Sequence, residues 1–280
     1  MKFLMKRYII YRYICQIILP PDIKTNTMAK KTIKYIILLI LLILYFKGVY
    51  EDEGKDKVTL AQQVETVDYP IISYSGYDVM YNPEYKIPKW VRYELLASET
   101  DGANTREGLG FRQDNSLNAA QADNDDYRNS GWSRGHMAPA GDFKWSNKAM
   151  EETFYFTNCC PQNQSLNAGQ WSTLEKKVRN WANKYGKVTV VTGPLVWENK
   201  YGTIGENKVL VPDAFFKAVL SGRQSIAFVM FNKAENENIQ KCAISVDHLE
   251  VISGIDFFQE LDDETESQVE STYNLKHWDL

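Results

Sequence analysis

The chain has 280 residues, 44% of them apolar and 24% charged, enough to bury an ordinary core and a fit to one domain of about 200 residues with an appendage. Its formal net charge of −4 hides an asymmetry: residues 1–57 hold 11 Lys and Arg against 5 Asp and Glu, leaving 21 against 31, or −10, for residues 58–280. A domain this acidic is excluded as a bulk-charge binder of phosphate backbones, whose affinity rests on many Lys and Arg.

No internal repeat is visible. The appendage lies at the front, where Lys30, Lys31 and Lys34 precede a run from Tyr35 to Phe46 made only of Tyr, Ile, Leu and Phe. Those 12 residues have the length of a secretory apolar region. A full membrane span takes about 20, which extension to Val49 reaches only marginally. Met28 is an alternative start that would leave residues 1–27 as upstream sequence and residues 28–50 as the targeting segment. Lys47-Gly48-Val49-Tyr50-Glu51 is a poor cleavage site, which favours an uncleaved signal-anchor over a cleaved signal peptide. In both cases the expectation is an exported domain, periplasmic or extracellular, tethered to a membrane in the first case. A buried core helix is the competing reading, and the flanking Lys with the acidic Glu51-Asp52-Glu53 speak against it.

Residues 51–68 are polar and read as a linker, with the folded domain expected over residues 69–258. Ile71-Ile72-Ser73-Tyr74 and Asp78-Val79-Met80-Tyr81 read as short strands around a Gly turn, and the alternation in Lys89–Leu95 predicts a third. Thr100 to Asp126 is polar and reads as loop, the usual place for site residues. Ser146 can cap a helix ending near Glu152, after which Thr153 to Thr157 reads as a strand ending at Asn158. From Ser165 to about Lys184, Trp171, Leu174, Val178 and Trp181 recur at helical spacing, and Gly186 can end that helix. Val188–Thr192, Val209–Val211, Phe215–Leu220 and Ser225–Phe231 are β-rich, with Gly193-Pro194 read as a break. A helix over Ile244–Ser253 precedes Gly254, and Gln259–Glu270, with six acids and no base, reads as the start of a solvated acidic tail over 259–280. Strands alternating with a few helices, without regular βαβ spacing, predict an α+β fold with a mixed or antiparallel sheet.

Cys15 lies in the leader, Cys159 and Cys160 are adjacent, and Cys242 is remote from both. The three in the domain cannot all pair, and buried thiols are preferred over a bridge.

Only three histidines exist, His136, His248 and His277. His136 sits in Trp132-Ser133-Arg134-Gly135-His136-Met137-Ala138-Pro139, a Pro-bounded stretch too short for a long regular element. A neutral imidazole there could take a proton from water, as hydrolysis of an unactivated phosphodiester requires. His248 reads as a structural residue of its helix and His277 as tail.

Arg134-Gly135-His136-Met137-Ala138-Pro139 resembles the Asp-Arg-Gly-His signature of the DNA/RNA non-specific endonucleases, the ββα-metal family. Phe111-Arg112-Gln113-Asp114, Tyr155-Phe156-Thr157-Asn158 with Pro161-Gln162, Leu166-Asn167 with Trp171 and Leu174-Glu175, Val191–Leu195, and Val211-Pro212 with Phe215-Phe216-Lys217 also resemble family blocks, in the family's order. The likeness covers about residues 69–258.

The resemblance implies a ββα-metal fold in which His136 is the general base and Asn167 the direct protein ligand of one Mg²⁺, with Mn²⁺ as a substitute ion. A hard cation reluctant to shed its waters suits a single amide oxygen plus substrate phosphate. Arg112 and Arg134 correspond to phosphate-facing arginines, which would supply locally the positive charge that the total lacks. Glu175, eight residues after Asn167, is offset by roughly 80° on a regular helix and would hold metal-bound waters, with Asn158 and Gln162 supporting the same shell. For Glu175 the alternative is a solvated helix face, and for Asn158 and Gln162 it is loop hydrogen bonding. Trp171 reads as core. Ser133 stands where most members have Asp, a departure that bears on the waters around the ion.

The expectation is a nuclease that cuts DNA and RNA with little sequence preference and leaves 5′-phosphate ends. Its expected partners are those substrates, a membrane through the N-terminal segment, and a second copy of the chain. The alternatives are a phosphodiesterase acting on small nucleotides, and an inactive relative that binds nucleic acid or a partner.

Overall fold

The computed structural model describes residues 69–280. The basic leader, the apolar run read as a signal-anchor, Cys15 and residues 51–68 lie outside the described residues. Among those described, no helix is long and apolar enough to cross a membrane.

Seven strands form one antiparallel sheet in the order β1 (Ile71–Ser73), β2 (Asp78–Asn82), β3 (Ile87–Leu96), β6 (Lys187–Leu195), β9 (Ala214–Ser221), β10 (Gln224–Phe231) and β11 (Ala243–Ile244). Two small antiparallel pairs stand apart from it, β4 (Ser133–His136) with β5 (Cys159–Gln162), and β7 (Thr203–Ile204) with β8 (Val209–Leu210). The fold is α+β with an antiparallel sheet, as the mix of strand and helix patterns predicts.

Period-two alternation splits the central strands between two cores. Phe215 and Val219 of β9, with Ile226, Phe228 and Met230 of β10, face one core, which also contains Trp171, Val178 and Trp181. Phe216, Ala218 and Leu220 face the other, with Val246, Leu249, Phe257 and Val269 from the C-terminal segment. β9 is therefore buried on both faces, so its sequence reads as a continuous apolar run. Lys217 is the exception, on the same side as Phe215 and Val219.

Four expectations need correction. Thr153–Thr157 is not a strand: a turn leads into a 3₁₀ turn at Phe156–Asn158, and β5 begins at Cys159. Aromatic and β-branched residues there pack a loop rather than a ladder, which local propensity cannot distinguish. Gly193-Pro194 does not break β6, because β3 stops pairing at Thr192 and leaves Pro194 bonded on the β9 side alone. A Cβ on Gly193 would lie 2.6 Å from the Lys89 carbonyl oxygen.

The helix expected from Ser165 is interrupted. One turn at Gln164–Leu166, capped by the Asn163 side chain, leads into a π turn at Asn167–Trp171, with Gly169 at φ −101°, ψ −106°. The regular helix is Ser172–Tyr185, ended by Gly186 at φ 86°.

The acidic segment is not a solvated tail. Asp263–Glu270 is a helix capped by the Asp262 carboxylate, with Val269 buried in the second core. Beyond it Trp278 is fully buried in the first core, where its carbonyl accepts from the Trp181 indole at 2.8 Å. Net charge predicts solvation, but a few apolar residues suffice to dock such a segment.

Candidate active site

The β4–β5 pair sets the site. Its register matches Ser133 with Gln162 and Gly135 with Cys160, so alternation turns Arg134 and His136 to one face and Ser133 and Gly135 to the other. Only glycine fits at 135, because an added Cβ would lie 2.2 Å from Gln162 Oε1 and 2.7 Å from its Cβ.

The backbone carrying His136 is held from several sides. The Asn158 side chain accepts from Ala138 N–H at 2.8 Å and donates to the Ala138 and Thr153 carbonyls at 2.9 and 2.8 Å. Its own carbonyl accepts from Met137 N–H at 3.0 Å. The Trp171 indole donates to the His136 carbonyl at 3.4 Å, and the Lys217 ammonium lies 3.5 Å from the Met137 carbonyl. That ammonium sits 4.7 Å over the Trp171 ring.

The His136 ring packs between Phe111, with centroids 4.6 Å apart, and Phe154, at 4.9 Å and edge-on. Its Nε2 is buried and has no hydrogen-bond partner among the described residues. Burial, assisted by the Arg106 charge, lowers its pKa to about 3, so the ring is neutral at physiological pH.

Asn167 lies in the π turn, half-buried, and its side-chain amide makes no hydrogen bond among the described residues. Glu175, on the first turn of the long helix, likewise makes none. Burial pushes its carboxyl up to about 7, while Lys217, Arg179 and Arg106 pull it down and Asp142 raises it. The π turn removes the regular helical phase on which the 80° offset of Asn167 and Glu175 rests. What ties Glu175 to His136 is Arg106, whose charge acts on both.

Of the two predicted arginines, Arg134 shares the His136 face of β4. Its guanidinium lies 5.1 Å over the Tyr127 ring and donates to the Asn124 carbonyl at 2.9 Å, leaving its buried Nε without a partner. Arg112 lies 4.9 Å over Tyr155 and 3.9 Å from the Glu151 carboxylate, while its neighbour Phe111 takes the place against His136. Gln162 is fully buried with both amide atoms unpartnered, and Ser133 donates to the Gln164 side chain.

Several charged groups lie beyond those that the sequence singled out for the site. Arg106, 5.4 Å over Phe154, comes from the patternless polar loop. Asp142 is fully buried, bonded to Arg179 at 2.5 Å and to the Tyr93 hydroxyl at 2.8 Å. Arg179, four residues after Glu175, could have been found as a helical neighbour. Lys217 could have been found as the one charge in a buried strand.

The His248 ring shares a hydrogen bond of 2.8 Å with its cap Ser245, and His277 stacks on Tyr185 at 4.6 Å, so neither belongs to this site. Cys159, Cys160 and Cys242 are buried thiols.

The oxygen donors of Asn167 and Glu175, together with the unpartnered Gln162 amide beneath Gly135, fit a hard divalent cation, which prefers oxygen ligands and retains waters. A neutral imidazole can accept a proton, and guanidiniums can bind an anionic ester.

The family described as "DNA/RNA non-specific endonuclease" matches residues 56–264. Human "Nuclease EXOG, mitochondrial" is 35% identical over 209 residues, 68% of this chain and 57% of that protein. Human "Endonuclease G, mitochondrial" is 36% identical over 202 residues, 66% of this chain and 68% of that protein. A crystal structure of EndoG in complex with EndoGI superposes with a TM-score of 0.66 at 31% identity, covering 72% of this chain and 91% of that one. The chain thus spans a little over half the length of the EXOG relative.

Proposed function

The chain belongs to the DNA/RNA non-specific endonuclease family, and from that premise we propose that it hydrolyses phosphodiester bonds within DNA and RNA, with His136 as general base. The observation that carries the reading is the His136 imidazole itself. It is held neutral by burial, fixed through its backbone by Asn158 and Trp171, and left with Nε2 unpartnered.

In this reading His136 accepts a proton from water as the water oxygen attacks phosphorus. The bond from phosphorus to the 3′ oxygen breaks, leaving a 5′-phosphate and a 3′-hydroxyl that takes its proton from solvent. Arg134 and Arg106 would balance charge on the phosphate oxygens; Arg112, engaged with Glu151 and Tyr155, would act at the margin. Asn167 would hold a divalent cation, Mg²⁺ or Mn²⁺, which when bound stabilises negative charge on the phosphate and the leaving oxygen. Glu175 and the Gln162 amide would order water around it. Asn158, with its side-chain amide engaged by Ala138 and Thr153, is assigned to holding the His136 backbone.

Contacts to phosphate alone would give tolerance of sugar and base. The test is nicking of supercoiled plasmid, cleavage of a long RNA and hydrolysis of a dinucleotide, each with Mg²⁺ and with EDTA. Mg²⁺-dependent cutting of both polymers is expected. Hydrolysis of the dinucleotide alone would replace this reading with the small-nucleotide one, and no hydrolysis at all would favour an inactive relative.

A further inference from the structure

The C-terminal segment places a second set of oxygen donors on the sheet face that carries the second core, opposite the one holding Trp171. The Val246–Ser253 helix contributes Asp247 and Glu250, and the Asp263–Glu270 helix contributes Glu270. One carboxylate oxygen from each lies within 4.8 Å of the other two.

Like charges so close repel unless something neutralises them, and no Lys or Arg among the described residues pairs with any of the three. Glu270 makes the arrangement more than an acidic surface. Its side chain is only 3% exposed, it makes no hydrogen bond or ion pair among the described residues, and its Oε1 is buried without a partner. A buried carboxylate in that state is costly, since such groups are normally paired or bound to metal.

We propose that Asp247, Glu250 and Glu270 form a binding site for one calcium ion, separate from the catalytic site. The donor set is all oxygen, as a hard cation requires. The number of carboxylates favours calcium over magnesium. Ca²⁺ takes several carboxylates in a flexible geometry, whereas Mg²⁺ demands a near-ideal octahedron and is usually held by one or two. The burial grades from Glu270 inside, through Glu250, to exposed Asp247, which leaves an open side for water ligands and for entry. Glu250 also accepts from Phe257 N–H at 2.9 Å, so an ion there would tie both helices to the loop between them. Three carboxylates completed by water correspond to an affinity of about 10⁻⁴ to 10⁻³ M.

The test is calcium titration of the chelator-treated full chain, read by calorimetry and by the thermal unfolding midpoint. Wild type, Asn167→Ala, Glu270→Gln and Asp247→Asn are compared, the first substitution removing the catalytic donor from the reading. The account expects saturable binding and a rise of a few degrees in wild type and in Asn167→Ala. Both should be lost in Glu270→Gln and weakened several-fold in Asp247→Asn, whose exposed position leaves folding intact. Mg²⁺-dependent nicking by Glu270→Gln is expected to match wild type, so this result is independent of the nuclease reading. No calcium effect in wild type, or one that survives Glu270→Gln and Asp247→Asn unchanged, overturns the proposal.

Discussion

In the central strands of the seven-stranded sheet, neighbours pair on both sides and the side chains fill two apolar cores; in the β4–β5 pair, four residues carry a glycine, a histidine and an arginine and bury polar atoms that lack partners among the described residues. The same antiparallel ladder serves both. The difference is what the buried polar groups have to meet. In the large sheet they meet each other, as Thr192 bonds to the Phe216 carbonyl. Around β4–β5, Nε2 of His136, Nε of Arg134 and the Gln162 amide find no partner among the described residues, which suits a group from outside the chain. In the proposed reading, stability rests on the first region and chemistry on the second.

Substitutions should separate the two. Trp181→Ala removes a buried ring from the first core and should cost about 3–5 kcal/mol in denaturant unfolding. The rate per folded molecule should stay unchanged; a matching loss of rate would blur the distinction. Gly135→Ala pushes a methyl into Gln162 and should disturb β4 without unfolding the large sheet. Far-UV circular dichroism close to wild type with plasmid nicking reduced at least tenfold is the expected pair of results.

The pH profile sharpens the comparison within the site. In the proposed mechanism the active form has neutral His136 and ionised Glu175. Without a cation the imidazole is lowered to about 3 and the carboxyl raised to about 7, and a bound cation draws the carboxyl down again, so the rate should rise with pH through a Glu175 ionisation below that value, while His136 protonation matters only in strong acid. Glu175→Gln should remove that limb from the residual kcat/KM; a limb unchanged in the variant would assign it to another group. The smallest effect distinguishes the arginines. Arg106→Ala should reduce kcat/KM on the order of 10- to 100-fold, the worth of one charged hydrogen bond, and Arg112→Ala much less. The reverse order would return Arg112 to the phosphate.

What could be read from the sequence follows the same division. Strand β3 shows its alternation, β9 and β10 show as β-rich apolar runs, and the helix with Trp171, Val178 and Trp181 shows its stripe, because burial on a regular element leaves a trace in the sequence. Arg134, His136 and Asn167 were legible through motif resemblance. Arg106 and Asp142 were not, since a loop arginine and a buried carboxylate on separate elements meet only once the chain is folded, whereas Lys217 stood out as the one charge in a buried strand without showing what it would face. The π turn at Gly169 escaped for another reason: it inserts a phase shift that the hydrophobic spacing on either side does not record. The docking of the acidic segment was masked by its charge, with Val269 and Trp278 too sparse to form a pattern.

The most direct test of the central assignment is kcat/KM of His136→Ala on supercoiled plasmid with Mg²⁺, measured beside its thermal unfolding midpoint. The account predicts a fall of about 10²- to 10⁴-fold, the range for a lost general base, with the midpoint little changed. A variant that nicks plasmid as fast as the wild type while remaining folded would contradict it.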